Sequence, residues 1–372
     1  MKNVFLTIII CSLCLTPSRA DTIIVDLAGG GDYTSIHEAV QAAQDGDEIL
    51  VMSGTYIFTV GDGVVSVNKE LDIVGSGYDL PANGGTTINA PANIFDFVTG
   101  SDGSLLRGFR LIGAAASMVQ IASPEVVIEE NLFQNQAAQG FNVYITSGVG
   151  DTLRNNIFTN GPNAAAGSGI GILSTTDALI NNNIFGSTYY GVATYNNTNL
   201  KIVNNVFLDV VSIAIYNGGA AWNYTDNALI SNNIIMNCAT GIGNAGSGSP
   251  TISYNGFYNN SSNGMEGISP KTTSPVFVDY GSNDDYDFGS YDNDGYDLRL
   301  QGTSTYLDAG DPLVTFNDLD GSRNDLGAYG WIYPIGTTGA PTIPVVNSIS
   351  VTPTTVSPSG TITINATGRI GD

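Results

Sequence analysis

The stretch Ile180-Asn-Asn-Asn183-Ile-Phe185 is followed 22 residues later by Ile202-Val-Asn-Asn205-Val-Phe207, and this echo decides the fold. Earlier copies stand at Ile128-Glu-Glu-Asn131-Leu-Phe133 and Leu153-Arg-Asn-Asn156-Ile-Phe158. Looser copies follow at Ile230-Ser-Asn-Asn233-Ile-Ile235 and Ile252-Ser-Tyr-Asn255-Gly-Phe257, and Leu106-Arg-Gly-Phe109-Arg-Leu111 is a degenerate first copy. From Leu111 to Phe257 the last positions step by 22, 25, 27, 22, 28 and 22 residues. A self-similar period of this length is one turn of a solenoid. Within each period a second short β-rich run follows, as in Val119-Gln-Ile121, Val143-Tyr-Ile145, Ile170-Gly-Ile172, Val192-Ala-Thr194 and Ile213-Ala-Ile215. These runs are too short for helices, and their alternation buries one face of a strand. Strands of successive turns, stacked in parallel about 4.8 Å apart, make an all-β parallel β-helix. The Asn column is expected to accept the left-handed bend between strands and to bond its amides from turn to turn.

A solenoid must cover its ends. Ser35-x-x-Glu38 is a capping box, and Ile36, Ala39, Val40 and Ala43 form one apolar stripe, so residues 35–44 are expected as a helix across the N-terminal opening. Residues 45–60 then begin the first turn. The Asp-rich part from Val276 to Tyr333 is expected to close the other end. A linker over 334–344 precedes two alternating strands in 345–372, read as the start of a truncated Ig-like module. The β-helix domain itself is assigned to 21–333.

Charge and cysteine usage bound the function. The formal net charge of −23, with 34 acidic against 11 basic side chains, repels a phosphate backbone, so nucleic acid is not an expected partner. Lys2, the apolar run Val4 to Leu15 and Ser18-Arg19-Ala20 form a secretory signal over residues 1–20, too short for a membrane span. Its removal leaves Cys238 as the one cysteine, so no intrachain disulfide is available. A secreted or cell-surface monomer without membrane insertion is the expectation.

Residues 23–56, with Asp32-Tyr-Thr-Ser-Ile-His-Glu-Ala-Val and Asp45-Gly-Asp-Glu-Ile-Leu-Val-Met-Ser-Gly-Thr-Tyr, resemble the opening of pectin-lyase-like right-handed β-helix proteins. The Asn-Asn-Ile-Phe copies, Leu307-Asp-Ala-Gly-Asp-Pro312 and the run from Asp318 to Gly330 resemble secreted bacterial members of that superfamily. The resemblance implies a right-handed coil and a polysaccharide as ligand or substrate. It does not fix an activity, because one fold hosts many.

Polygalacturonase-like hydrolases, by resemblance, need a Gly-His-Gly and an Arg-x-Lys. The single histidine, His37, belongs to the capping helix and reads as a solvated helix residue. Pectin methylesterase motifs are missing beyond the N-terminal likeness, and Asp96 stands alone. Lyase chemistry survives without histidine, so a polysaccharide lyase is favoured if the protein is an enzyme, but no catalytic residue is assigned. Lys201 reads as a surface lysine, and Arg107, Glu129 and Arg154 as a surface charge ladder. Calcium is a possible cofactor at Asp292, Asp294 and Asp297 and at Asp318, Asp320 and Asp325, with Asx-turns as the equal alternative. Tyr189, Tyr190, Tyr195, Tyr216, Trp222 and Tyr224 fall in adjacent turns and are the candidate carbohydrate-binding set, against packing beneath an inserted loop. The leading expectation is a protein that binds extracellular polysaccharide, with processing left open. The other is a noncatalytic cell-surface or adhesion stalk.

Overall fold

The computed structural model describes residues 20–78, 85–113, 117–135, 140–160, 167–218, 228–244, 248–280 and 296–331, and the backbone of 345–352 and 363–369. Three parallel sheets wind around one core. The first has ten strands, from Thr22–Val25 to Thr251–Ser253; the second has nine, from Gly54–Ile57 to Gly256–Tyr258; the third has nine, from Val65–Val67 to Ser262–Gly264. From Asp47 onward each turn contributes a strand to each sheet in order. The Ile-x-x-Asn-x-Phe motif, read from sequence as a single run, supplies two of them: Leu179–Asn181 lies in the first sheet and Ile184–Gly186 in the second. The second run of each period forms the third sheet, where Val119, Val143, Ile170, Val192 and Ile215 share one register column. Ile213 therefore aligns with Tyr190 rather than with Val192.

The Asn column is inside. Asn131, Asn156, Asn183, Asn205, Asn233 and Asn255 are all fully buried. Each side-chain oxygen from Asn156 onward accepts from the backbone N–H of the preceding column member at 2.9–3.1 Å, and each Nδ2 reaches a carbonyl of the preceding coil. These bonds satisfy backbone groups that the bend removes from the sheet ladder. The left-handed bend belongs to the residue before the column, correcting its assignment by one place. Glu130, Asn155, Asn182, Asn204, Asn232 and Tyr254 have φ between 53° and 61°. The short polar side chain makes Asn the commonest choice there.

Behind the column, Phe133, Phe158, Phe185 and Phe207 stack with centroids 4.9, 4.8 and 4.6 Å apart and planes within 10°. The stack needs space on the third sheet. A Cβ at Gly191 would lie 2.5 Å from the Phe207 ring and 2.5 Å from the carbonyl oxygen of Ala214. No side chain fits there without moving the ring.

The N-terminal helix, Ile36–Ala42, carries its stripe Ile36, Ala39, Val40 and Ala43 into the core as expected. Ser35 makes no side-chain capping bond, so the capping box is not formed. Instead, Lys69 from a following coil donates from Nζ to the carbonyls of Val40, Gln41 and Ala43 at 2.7–3.0 Å, satisfying the helix C-terminus. The first sheet also begins earlier than expected, because Thr22–Val25 precedes the helix and pairs with Asp47–Val51.

The expected plug at the other end is a strap along the side. The terminal opening is met by Met265 against the core and by bridges Ser253↔Ile268 and Gly256↔Lys271. Residues 298–331 turn back instead, over the outer face of the second sheet. Leu132, Ile157, Ile184, Val206 and Ile234 point out of the solenoid and form a second apolar cluster with Tyr306, Ala309, Leu326 and Ala328. At the last coil, Tyr306 is fully buried over Gly256, where a Cβ would lie 2.3 Å from its ring. The left-handed asparagines hold the strap. Asn232 Oδ1 accepts from Asp311 N at 2.7 Å. Asn204 Nδ2 donates to Asn324 Oδ1 at 2.8 Å and Asp325 O at 2.9 Å. Asn182 Nδ2 donates to the carbonyls of Ala328 and Gly330 at 3.0 and 2.7 Å.

The strands at Val345–Thr352 and Thr363–Arg369 pair antiparallel. No helix among the described residues is long and apolar enough to cross a membrane. The signal segment through Arg19 lies outside the described residues.

Candidate functional site

The outer face of the third sheet carries the aromatic residues. Its outward register column runs Asp96, Gln120, Tyr144, Gly171, Ala193, Tyr216 and Gly243. Strand alternation sends Val143 and Ile145 into the core and leaves Tyr144 between them facing out. Tyr190 stacks on Tyr216 at 5.5 Å with planes 11° apart, and Tyr189 meets Tyr190 edge-on at 4.8 Å. Tyr195 is held at the end of its strand, where burial pushes its hydroxyl pKa up and the nearby Tyr216, Tyr190 and Tyr144 add to the rise. Burial likewise raises Tyr190, helped by Tyr189. All of these rings are half-buried.

Four of the six expected carbohydrate-binding residues, Tyr189, Tyr190, Tyr195 and Tyr216, therefore gather on one face. Trp222 and Tyr224 lie outside the described residues. Sequence reasoning missed Phe141 and Tyr144, which extend the face by stacking at 5.5 Å with planes 9° apart. Phe141 lies across Gly171, whose absent side chain gives the ring its seat. The register of Tyr144 with Gly171 and Ala193, two small residues ahead of Tyr216, was the signal available. Parallel strands at about 4.8 Å place Tyr144 and Tyr216 roughly 14 Å apart along the coil axis. The face is an extended surface of rings with small residues between.

The charged candidates are elsewhere. Glu129 bridges Arg154 at 2.5 Å and Arg107 at 3.7 Å on the first sheet, the expected ladder. Lys201 is exposed in that sheet between Leu179 and Leu229. His37 packs its ring 4.7 Å from Phe58, with Nε2 3.3 Å from the Gly63 carbonyl, at the N-terminal end. Asp96 stands beside Ser66 and Gln120, its carboxyl pKa raised by burial.

Of the expected acidic residues, Asp297 and Asp320 close Asx-type turns on Arg299 and Ser322, while Asp318 and Asp325 accept from more distant backbone. Asp318 accepts from the backbone N–H groups of Trp331 and Asp325, Asp320 from Ser322, and Asp325 from Asp308. Burial pushes Asp318 up to about 7, and hydrogen bonds from Ser322 lower Asp320. Asp297 is forked by Arg299, whose hydrogen bonds lower its pKa. Among the described residues no three carboxylate, histidine or cysteine side chains are grouped as metal ligands. Asp292 and Asp294 lie outside the described residues.

The sequence matches no curated protein significantly. Among solved structures, a singly substituted catalytic domain of GH87 alpha-1,3-glucanase in complex with nigerose is 15% identical with a TM-score of 0.46, over 70% of this chain and 56% of that one. The pectate lyase Pel9A is 16% identical with a TM-score of 0.44, over 86% of this chain and 97% of that one. The chain thus spans little more than half of the glucanase domain. The family model of the right handed beta helix region matches residues 93–223 and 168–301, together more than half of the sequence. The repeat, the three parallel sheets and this match together establish that the chain belongs to the right-handed β-helix family.

Proposed function

We propose that this protein is an extracellular polysaccharide-binding β-helix whose ligand lies along the outer face of the third sheet. The observation that carries the reading is the aromatic face of Phe141, Tyr144, Tyr189, Tyr190, Tyr195 and Tyr216, gathered from several coils and left half-buried. Successive coils repeat at a fixed spacing, so a polymer of sugars running along the axis can meet rings presented by several coils in turn. The apolar faces of sugar rings stack on aromatic rings without needing charge, which suits a chain of net charge −23. Uronates would meet like-charge repulsion on such a protein. Neutral polysaccharides are therefore the proposed ligands. The secretory signal read from Lys2 to Ala20 supplies the extracellular setting.

Affinity electrophoresis through gels containing neutral or acidic polysaccharides tests the proposal. Parent protein should be retarded by at least one neutral glycan, and Tyr195→Ala with Tyr216→Ala should lose most of the retardation while the circular-dichroism spectrum and Tm stay near those of the parent. Unchanged retardation in the double variant would remove the aromatic face as the site. No retardation of the parent across the panel would favour the stalk.

A further inference from the structure

A second, independent feature lies where the strap meets the last coil. A cleft of roughly 280 Å³ is lined by Tyr254, Ser269, Lys271, Thr305, Asp308 and Arg323. Two cations face it in a chain with 34 acidic residues, and neither has a carboxylate within ion-pair distance among the described residues. Of the other described cations, Arg107 and Arg154 pair with Glu129, Arg299 with Asp297, Lys69 donates to the helix carbonyls, Arg110 donates to Gln134, and Lys201 is exposed on the first sheet. Arg323 is oriented by its own contacts. Its Nε donates to Gly310 O at 2.7 Å and its Nη2 to Ala309 O at 3.3 Å, while the guanidinium sits 5.6 Å from the centre of the Tyr254 ring. That arrangement fixes the group without neutralising it. Lys271 comes from the chain that closes the solenoid, through the bridge Gly256↔Lys271. Arg323 comes from the strap.

We infer that this cleft is a binding site for an oxyanion carried on a small hydroxylated body, a phosphate or a carboxylate, held between Lys271 and Arg323. The two cationic groups meet the oxyanion, Ser269 and Thr305 offer hydroxyl contacts, and Asp308 accepts from ligand hydroxyls at the cleft's edge. The size admits one sugar-sized group. The site does not rest on the aromatic face, which lies on a different sheet. Its two cations belong to different segments, so the bound anion ties the strap to the last coil and stabilises the folded chain.

The test uses the whole chain with inorganic phosphate, gluconate and glucose as probes, at matched ionic strength. Isothermal titration should detect phosphate, gluconate or both at millimolar concentration, with glucose at least tenfold weaker than the better anion. That anion at 20 mM should raise Tm by about 2–4 °C over chloride. Lys271→Met should weaken anion binding at least fivefold and abolish the Tm gain, whereas Lys201→Met, which removes an exposed cation elsewhere, should change neither. Arg323→Lys, which keeps the charge if Arg323→Gln loosens the strap, should retain more binding than Arg323→Gln. Gluconate binding better than phosphate identifies a carboxylate ligand, and the reverse a phosphate ligand. Equal binding of glucose, equal loss in Lys201→Met, or no titration by either anion at 20 mM would overturn the assignment.

Discussion

The side-chain oxygen of Asn205 accepts two hydrogen bonds from Asn183, one from its backbone N–H and one from its Nδ2, both at 3.0 Å. Asn205 in turn donates to Ile180 O at 2.9 Å, Val203 O at 3.0 Å and Asn233 Oδ1 at 3.0 Å. Removing this amide strips partners from buried groups in three coils. Asn205→Ala should lower unfolding free energy by about 3 kcal/mol or more, given about 1–3 kcal/mol for each buried group left unsatisfied. Asn255→Ala, near the end of the ladder, should cost clearly less. Urea unfolding of the two variants checks the ranking, and equal losses would refute a ladder that strengthens toward its middle.

Gly191→Ala places a methyl 2.5 Å from both the Phe207 ring and a backbone carbonyl oxygen. Overpacking of this kind costs about 1–3 kcal/mol. Gly302→Ala, with nothing within 4 Å of the added carbon, should be neutral or slightly stabilising. Phe207→Leu combined with Gly191→Ala should cost less than the sum of the two single changes, because the shortened side chain vacates the space the methyl needs. Thermal melts of the set measure the coupling.

Asp151 occupies a fully buried position between Val126 and Ala178 in a column continued by Leu200 and Ala228. Its Oδ1 accepts from Val126 N at 3.1 Å, its Oδ2 has no partner, and burial pushes its pKa up to about 7. The unfolded carboxyl ionises near 3.8, so the folded chain binds more protons between about pH 4 and 7. Stability contributed by this group is complete below pH 4, falls as pH rises toward 7 and levels off above it. Asp209, raised by burial to about 6, and Asp318, raised to about 7, act with the same sign. Asp151→Asn should flatten the slope partly, and raise Tm at pH 8 relative to the parent while changing it little at pH 4. A parent whose Tm climbs from pH 4 to 7 would contradict this.

Asn204 sits at φ 55° with its side chain on the strap, so Asn204→Gly removes the strap bonds while leaving the bend unstrained. Amide exchange in residues 324–330 should accelerate by about tenfold or more, one charge-neutral hydrogen bond being worth about 1 kcal/mol and four being lost. The third-sheet strands should exchange as before. Uniform acceleration throughout would show the strap to be part of the global unfolding unit.

The repeat made the solenoid legible because a one-dimensional stack writes its period directly into the chain. The Asn column and the Phe stack were visible as recurring letters. The strap was harder, since sequence does not say what covers an outer face. A clue was present in the letter between Asn and Phe: Leu132, Ile157, Ile184, Val206 and Ile234 should point outward, yet all are apolar. Sheets apolar on both faces are covered on both. The paired Asn of the motif held the second clue, one amide facing in and its left-handed neighbour facing out. Of the aromatic face, the tyrosines at 189, 190, 195 and 216 were found by their clustering. Phe141 and Tyr144 were not, because their relation to Gly171 appears only after strands are registered. The Lys271 and Arg323 pairing joins residues 52 positions apart and has no periodic trace.

Repeat arrays commonly gain or lose a coil over evolutionary time, since each coil meets only its neighbours. Here the strap acts as a ruler. Asn182, Asn204 and Asn232 belong to three consecutive coils, and each engages its own fixed mark between Asp311 and Gly330. Duplicating or deleting a coil between Asn182 and Gly256 would leave one mark facing the wrong rung and Tyr306 without its seat. A change in coil number should therefore be poorly tolerated between Asn182 and Gly256, where every rung has its mark.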